Sequence, residues 1–257
     1  MCNQKSIIGM QKLKIISFSL WGVDLKYVNG AISNAKLALE FYSDWICKFY
    51  ISKDTLIYLP DKITELRSFK NVSIVEMNEE GDWRGMFWRF YPCADKDVDV
   101  MISRDTDSRL SFREKLAVDE WLKSDKDFHI MRDHHGHGTA ILGGMWGARN
   151  QILLSMMELI DNYDVKNYWQ IDQEFLAKAI YPAIKNNVFV HDPFFEGYPF
   201  PSKRNDFEFV GDVFDQYDKR DTHFKNDLIQ YLNRNNFKMK ITFLKNRIRK
   251  MLTIIFK

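Results

Sequence analysis

Apolar and polar residues alternate along this chain in two rhythms, which together predict a sheet interleaved with helices. Residues 29–42 place apolar side chains three to four positions apart on one face, as in an amphipathic helix, and 112–122, 150–163 and 171–180 are further helix candidates. Short apolar runs predict strands at 13–20, 45–51, 72–77, 98–102, 128–131 and 188–190. Strands that alternate with helices are typical of an α/β fold with a mostly parallel sheet.

The run at 98–102 leads into two carboxylates one residue apart, Asp105 and Asp107. Parallel sheets bind ligands at the carboxyl ends of their strands, where both side chains can face one cation. Mg²⁺ or Mn²⁺ prefers such oxygen ligands and completes its shell with substrate phosphate. The alternative is a solvated turn, since Asp, Thr and Ser are common turn residues. A capping box at 111–114 opens a helix directly afterwards, and this context favours the metal site.

A loop rich in glycine and histidine follows the strand at 128–131. His134, His135 and His137 could in principle hold zinc together with Asp133, because imidazole and carboxylate are both zinc ligands. No distant Cys/His pair accompanies them, and the glycines indicate a loop that exposes its backbone. We therefore expect His134 and His137 at the rim of a ligand-binding site.

Composition and cysteine usage suggest where the protein works. Three cysteines, odd in number and scattered, argue against a disulfide framework and for a reducing compartment. No apolar run approaches the roughly 18 residues that span a bilayer. Residues 13–23 look superficially like part of a signal peptide, but their serines and the missing cleavage site favour a first strand. We expect a cytoplasmic protein.

The last part of the chain differs from the rest in charge. The net charge is +2, yet residues 238–257 contain seven basic residues and no acidic one. Written as a helix, this segment has one apolar stripe, and basic amphipathic helices bind anionic membrane surfaces. The alternative is a helix packed on the body or on a second subunit. We expect a domain at 13–225 and a basic tail at 226–257, with no nucleic-acid partner.

Seven segments of the chain carry a resemblance to a known family. The resemblance covers roughly residues 13–215, and its most specific element is the acidic pair in its context. The segments are MFWRF at 86–90, SRDTDSR at 103–109, FHIMRDH at 128–134, GGMWG at 143–147, DQEFL at 172–176, HDPFF at 191–195 and FVG at 209–211. They resemble bacterial glycosyltransferases of the GT-A type, which use nucleotide-diphospho-sugars.

The resemblance implies a single GT-A domain that binds a nucleotide-sugar donor through a divalent metal, Mn²⁺ or Mg²⁺. It also implies transfer of the sugar to a glycan or lipid-linked acceptor, in polysaccharide or lipopolysaccharide synthesis at the inner face of the cytoplasmic membrane. Asp107 would be a direct metal ligand, and Asp105 would bind the metal through water or hold the ribose. His191, in a late strand, would be a third ligand; alternatively, the backbone satisfies it at the strand end.

Further residues follow from the same resemblance. Arg104, Arg109 and Arg204 would contact the donor, since guanidinium matches phosphate geometry. The alternative for Arg104 and Arg109 is that they only neutralise the acidic pair. Asp172 either caps a helix or serves as the general base for the acceptor hydroxyl. The donor loop would contain Gly143, Gly144 and Trp146, unless Trp146 belongs to the core.

Two rival functions use a similar surface. A sugar-phosphate nucleotidyltransferase usually carries a glycine-rich loop with Arg or Lys after its first strand, and residues 20–25 show no such loop. A catalytically silent module would bind a nucleotide-sugar or a membrane without turnover. The sequence does not distinguish inversion from retention at the transferred sugar.

Overall fold

Seven strands form one mixed sheet in the computed structural model, which describes residues 12–235. Their order across the sheet is β3-β2-β1-β4-β6-β5-β7. The sixth strand runs antiparallel to both neighbours, and the other pairs are parallel. This confirms the predicted α/β fold with a mostly parallel sheet. The strands are β1 Leu13–Leu20, β2 Ile46–Ile51, β3 Val72–Glu76, β4 Val98–Arg104, β5 Phe128–Met131, β6 Trp146–Arg149 and β7 Val188–His191.

Helices cover both faces of this sheet. One face packs against α1, α3 and α4 in a core that includes Val28, Leu66 and Trp121. The other packs against a 3₁₀ helix, α5 and α6 around Phe90 and Phe175. The helices are α1 Leu25–Phe41, α2 Lys53–Tyr58, α3 Pro60–Arg67, the 3₁₀ helix Trp83–Ala94, α4 Phe112–Leu122, α5 Met156–Asp161, α6 Ile171–Phe175, a π-helical turn Leu176–Ile180, α7 Tyr181–Ile184 and α8, whose described part is 222–235.

Local capping chemistry fixes where two of these helices begin. The Ser111 hydroxyl accepts a hydrogen bond from the Glu114 backbone N–H at 3.2 Å, so α4 begins at Phe112 as the capping box predicts. Asp24 accepts from the backbone N–H of Lys26 at 2.8 Å. Helix α1 therefore begins earlier than its apolar periodicity predicts.

The largest error in the predicted elements lies at 146–163. Asn150 and Gln151 have φ angles of 62° and 56°, in the left-handed region, so the helix predicted from residue 150 cannot begin there. It begins only at Met156. Strand β6 was not predicted, because its four residues are too few to show a period of two.

The direction of the strands determines where a site can form. Strands β1, β4, β5 and β7 all run the same way, so their carboxyl ends meet at one edge of the sheet. Because β6 is antiparallel, its amino end starts at that same edge. The segments at 21–24, 105–111, 132–145 and 192–200 therefore converge there, as ligand-binding loops do in α/β sheets.

The structure also bears on two features noted in the sequence, namely the lack of a membrane-spanning run and the scattered cysteines. No helix within 12–235 is long and apolar enough to span a bilayer. Cys47 and Cys93 are buried free thiols. The basic segment 238–257 lies outside the described residues, so the amphipathic tail stays a prediction. The domain boundary at 225 also stays a prediction, and it falls within α8.

Candidate active site

A cavity of about 510 Å³ opens at the carboxyl edge of the sheet. Its walls come from the turn after β1, the 3₁₀ helix, the acidic turn after β4, the histidine loop after β5 and the start of α8. Segments far apart in sequence meet around this space because their strands end together. The cavity is therefore the natural place to look for the predicted chemistry.

The acidic pair lies on the wall of this cavity. The side chains of Asp105 and Asp107 are 42% and 22% exposed, respectively. Arg89 forms an ion pair with Asp105, and the Lys26 Nζ lies 2.8 Å from Asp107 Oδ2. Both predicted metal ligands thus face open space, each with one cationic side chain beside it.

Burial and the negative charge of Asp105 act on Asp107 more strongly than the positive charge of Lys26 does. Burial and the negative charge of Asp105 raise the pKa of Asp107, even though its hydrogen bond to Lys26 acts in the opposite direction. Burial alone would lower the pKa of Lys26, but the hydrogen bond to Asp107 and the negative charges of Asp107 and Asp24 together outweigh burial, and the pKa is raised. An additional cation at this point would therefore stabilise the ionised pair.

Arg89 links the acidic pair to a buried carboxylate behind it. This guanidinium is buried in the 3₁₀ helix, and its Nη2 donates to Asp172 Oδ2 at 2.6 Å. Burial alone would lower the pKa of Arg89, but the charges of Asp105 and Asp172 overcome that effect and raise it. Arg89 therefore stays charged and holds Asp105 in place.

Asp172 requires a correction to its predicted role. Its side chain is fully buried, and it lies behind Arg89 rather than on the cavity wall. Burial raises the pKa of Asp172 although Arg89 opposes the shift. The expected general base is thus out of reach of an acceptor, and the helix cap is Gln170. Asp172 anchors Arg89.

The two predicted loop glycines lie against the acidic residues. A Cβ on Gly143 would lie 2.0 Å from Asp172 Oδ2, and one on Gly144 would lie 2.0 Å from Asp105 Oδ2. Any side chain here would push a carboxylate out of position, so the glycines permit the close approach. Trp146, predicted in the same loop, is instead buried in β6 against Phe90. Its assignment to the donor loop is therefore wrong, and Trp146 belongs to the core.

Arg104 and Arg109 do not reach a donor in this arrangement. Side chains alternate along β4, so Arg104 points to the face opposite Asp105. There it is buried, with its Nε 2.7 Å from Glu114 Oε1. Arg109 bonds Asp218 Oδ1 at 2.6 Å and the carbonyls of the acidic turn. Both predictions are corrected, because both guanidinium groups are committed to structural contacts.

His191 and Arg204 also differ from their predicted roles. The Nδ1 of His191 is 2.8 Å from His129 Nε2, and its Nε2 is 3.2 Å from Glu120 Oε2. The His191 ring is itself buried and absent from the cavity wall, so it is not a third ligand for the acidic pair. Arg204 bonds Asp133 Oδ1 at 2.6 Å and likewise does not line the cavity.

The histidine loop contributes two side chains to the cavity wall. His134 and His137 both line it, as expected for residues at its rim. Burial lowers the pKa of both, to about 3 for His137, so their imidazoles are neutral. Asp133, considered with them as a zinc ligand, is instead fully buried and bonded to Arg113, which rules out that ligand set.

Sequence reasoning missed four residues at this site. Arg89 was noted only as part of an aromatic segment, although a charge within an apolar stretch indicates a buried partner. Lys26, Trp169 and Asp227 carry no local signal in the sequence. They reach the site only through the fold, and Trp169 is 68% exposed beside the cavity.

Comparisons with known proteins give matches among solved structures only. Neither the models of protein families nor the curated proteins contain a match. The chain is similar to 4-diphosphocytidyl-2C-methyl-D-erythritol synthase from Anaerococcus prevotii (TM-score 0.46, 12% identity, 70% of this chain and 86% of that chain). It is also similar to glycosyltransferase GlyE of Streptococcus pneumoniae (TM-score 0.44, 15% identity, 71% of this chain and 45% of that chain). A third similar structure is that of glucosyl-3-phosphoglycerate synthase from Mycobacterium tuberculosis, solved with UDP (TM-score 0.44, 11% identity, 76% of this chain and 73% of that chain).

Proposed function

We propose that the protein is a divalent-cation-dependent glycosyltransferase of the GT-A type. It would move a sugar from a nucleoside-diphosphate donor to a glycan or lipid-linked acceptor. The observation that carries the proposal is that Asp105 and Asp107 lie together on a cavity wall, each beside one cationic side chain. The family resemblance around 103–109 supports the same reaction.

The acidic pair fits a cation that keeps part of its shell for substrate. Mg²⁺ and Mn²⁺ bind through one or two carboxylates and take their remaining ligands from water and phosphate. Within 12–235, no third His, Cys, Asp or Glu joins this pair in a ligand group. The free positions therefore suit a diphosphate. When bound, such an ion stabilises the negative charge that develops on the leaving phosphate.

Residues of the chain supply further positive charge at the same point. Lys26 and Arg89 now pair with the carboxylates. A cation on the acidic pair would leave the Lys26 ammonium free to face the diphosphate, while Arg89 would keep its bond to Asp172. On another part of the wall, the exposed ring of Trp169 provides a flat apolar surface for a sugar of the donor or acceptor.

Donor binding tests this proposal most directly. The full chain would be titrated calorimetrically with UDP-, GDP-, CDP- and dTDP-sugars, with and without Mn²⁺. We expect one donor to bind in a Mn²⁺-dependent manner. Asp107→Asn should weaken that binding by at least about 100-fold, or about 2.7 kcal/mol. Asp61→Asn, an exposed carboxylate on α3, serves as the matched control and should bind normally.

Turnover separates the proposal from its two rivals. With donor and a panel of acceptors, a glycosyltransferase releases nucleoside diphosphate, whereas a nucleotidyltransferase consumes nucleoside triphosphate and releases pyrophosphate. Donor binding without release of nucleotide for any acceptor would favour a silent module. If Asp107→Asn binds the donor with unchanged Mn²⁺ dependence, the assignment of the acidic pair is wrong.

The basic segment 238–257 carries a separate part of the proposal. Its seven basic residues and apolar stripe would hold the enzyme on the anionic inner face of the cytoplasmic membrane. The full chain should therefore sediment with vesicles that contain anionic lipid, and less so at high salt. A chain that lacks 238–257 should stay in the supernatant, and sedimentation of that shortened chain would contradict the membrane role.

A further inference from the structure

A second group of metal-binding side chains lies at the rim of the cavity, apart from the acidic pair. His134 and His135 come from the loop after β5, and Asp227 comes from α8. One ligand atom of each residue lies within 4.8 Å of the other two. The group therefore joins two segments that are distant in sequence.

The distances within this group suit a small tetrahedral ion. The Nε2 of His135 lies 3.1 Å from Asp227 Oδ2. Two ligands that each lie 2.0–2.1 Å from a tetrahedral zinc ion are about 3.3 Å apart. This pair thus already has the required spacing, and a modest shift of His134 would complete a three-sided site.

A hydrogen bond on its second nitrogen holds the His134 imidazole, as is usual for a metal ligand, and ring stacking holds the His135 imidazole. The Nε2 of His134 lies 3.2 Å from the carbonyl oxygen of Phe224, a bond that would leave Nδ1 with the lone pair. That lone pair now accepts the backbone N–H of Gly136 at 3.0 Å, a weak donor that a metal would replace. The His135 ring stacks on Tyr231, with ring centroids 4.2 Å apart.

One ring atom of this group has no hydrogen-bond partner. The Nδ1 of His135 is buried, and the described part of the chain offers it none. The spacing between Nε2 and Asp227 places a cation on Nε2, so the ring proton would stand on Nδ1. His135 would then be neutral, as an imidazole that binds a metal must be.

We propose that His134, His135 and Asp227 bind a zinc ion, with water as the fourth ligand, and that this ion fixes α8 to the histidine loop. Two imidazoles and one carboxylate suit zinc, whereas Mg²⁺ and Mn²⁺ favour oxygen ligands such as the acidic pair. His134 and Asp227 also line the cavity, so the ion would shape its rim. The proposal does not depend on the proposed sugar transfer.

Metal titration tests the site directly. The full chain, without an affinity tag and dialysed against a chelator, would be titrated with Zn²⁺ by calorimetry and with Co²⁺ by visible absorption. We expect one Zn²⁺ per chain, a four-coordinate Co²⁺ spectrum and no displacement by excess Mg²⁺. Absence of stoichiometric Zn²⁺ binding would overturn the proposal.

Two single variants and a control locate the ion. His135→Asn and Asp227→Asn should each weaken Zn²⁺ binding by at least about 100-fold, since losing even an outer-shell partner costs roughly 10- to 100-fold. Asp227 is 49% exposed, so its replacement leaves the fold intact. His223→Asn removes an exposed histidine from the same helix and should bind normally. Unchanged Zn²⁺ affinity in both ligand variants would also overturn the proposal.

Hydrogen exchange tests whether the ion fixes α8. Saturating Zn²⁺ should slow amide exchange at 222–235 in the wild-type chain and leave it unchanged in Asp227→Asn. Slower exchange confined to the wild type supports a link between helix and loop. Exchange that Zn²⁺ does not alter in the wild type would show that the ion, if bound, does not fix the helix.

Discussion

A single carboxylate after β5 and a pair of carboxylates after β4 lie at the same edge of the sheet, and they differ in how many hydrogen-bond and ion-pair partners they have. Asp133, after β5, accepts from both Arg113 and Arg204 and from the backbone N–H of Val210, and it is fully buried. Asp105 and Asp107, after β4, have one cationic side chain each and face a cavity. The saturated carboxylate organises the loops, whereas the partly satisfied pair is free to exchange its cations for a ligand.

The largest expected effect concerns Asp133, the buried carboxylate that organises the loops. Asp133→Ala would leave one buried and one partly buried guanidinium group, those of Arg113 and Arg204, without their carboxylate, so we expect the free energy of unfolding to fall by about 3–5 kcal/mol. Urea unfolding followed by circular dichroism measures this. A loss as small as that of a surface substitution would show that Asp133 does not organise these loops.

Crowding the functional pair should weaken donor binding more than folding. A Cβ at Gly144 would lie 2.0 Å from Asp105 Oδ2, so Gly144→Ala must displace that carboxylate. We expect about a tenfold loss of Mn²⁺-dependent donor affinity, or about 1.4 kcal/mol. Gly138→Ala is the control from the same loop, because the nearest atom to its Cβ would be 4.0 Å away. Equal donor affinity in both variants would mean that Asp105 need not hold its present position.

Removing a charge from the functional pair should cost little stability. In Asp105→Asn the free energy of unfolding should change by less than about 1 kcal/mol, since the side chain is partly exposed and screened by solvent. The same urea experiment measures it beside Asp133→Ala. A loss comparable to that of Asp133→Ala would remove the distinction between the two groups.

The smallest effect concerns pH. The pKa of Asp107 is raised from 3.8, so the folded protein retains this proton to a higher pH than the unfolded chain. The stability that comes from the protonated form is therefore present below 3.8 and is lost as pH rises from 3.8 through the folded pKa. The stability of Asp107→Asn relative to wild type should increase over that range. Urea unfolding at several pH values measures the difference, and a constant difference would contradict the shift.

The sequence predicted the parts of this molecule that depend on local pattern. The first strand has its predicted bounds, and α4 begins where its capping box indicates, because periodicity and caps act over a few neighbouring residues. The acidic pair was also found locally, from a strand and a capped helix on either side of it.

Residues that depend on tertiary pairing were not predictable in the same way. Arg104 adjoins the acidic pair in sequence but points to the opposite face, because side chains alternate along a strand. His191 does end β7, yet its buried ring lies between the buried His129 and the exposed Glu120. Asp172 reaches Arg89 across the fold. No spacing along the chain indicates which distant group will be the partner of a buried charge.

Under the proposed function, the ion pair between Arg89 and Asp105 would govern the order in which metal and donor bind. A metal ion that arrives alone must compete with a guanidinium that Asp172 keeps charged and in place. A metal ion that arrives with a diphosphate brings anionic oxygens that compensate both Arg89 and Lys26 for their lost carboxylates. The two ligands should therefore bind with positive cooperativity, and the metal should bind tightly only as a complex with the donor.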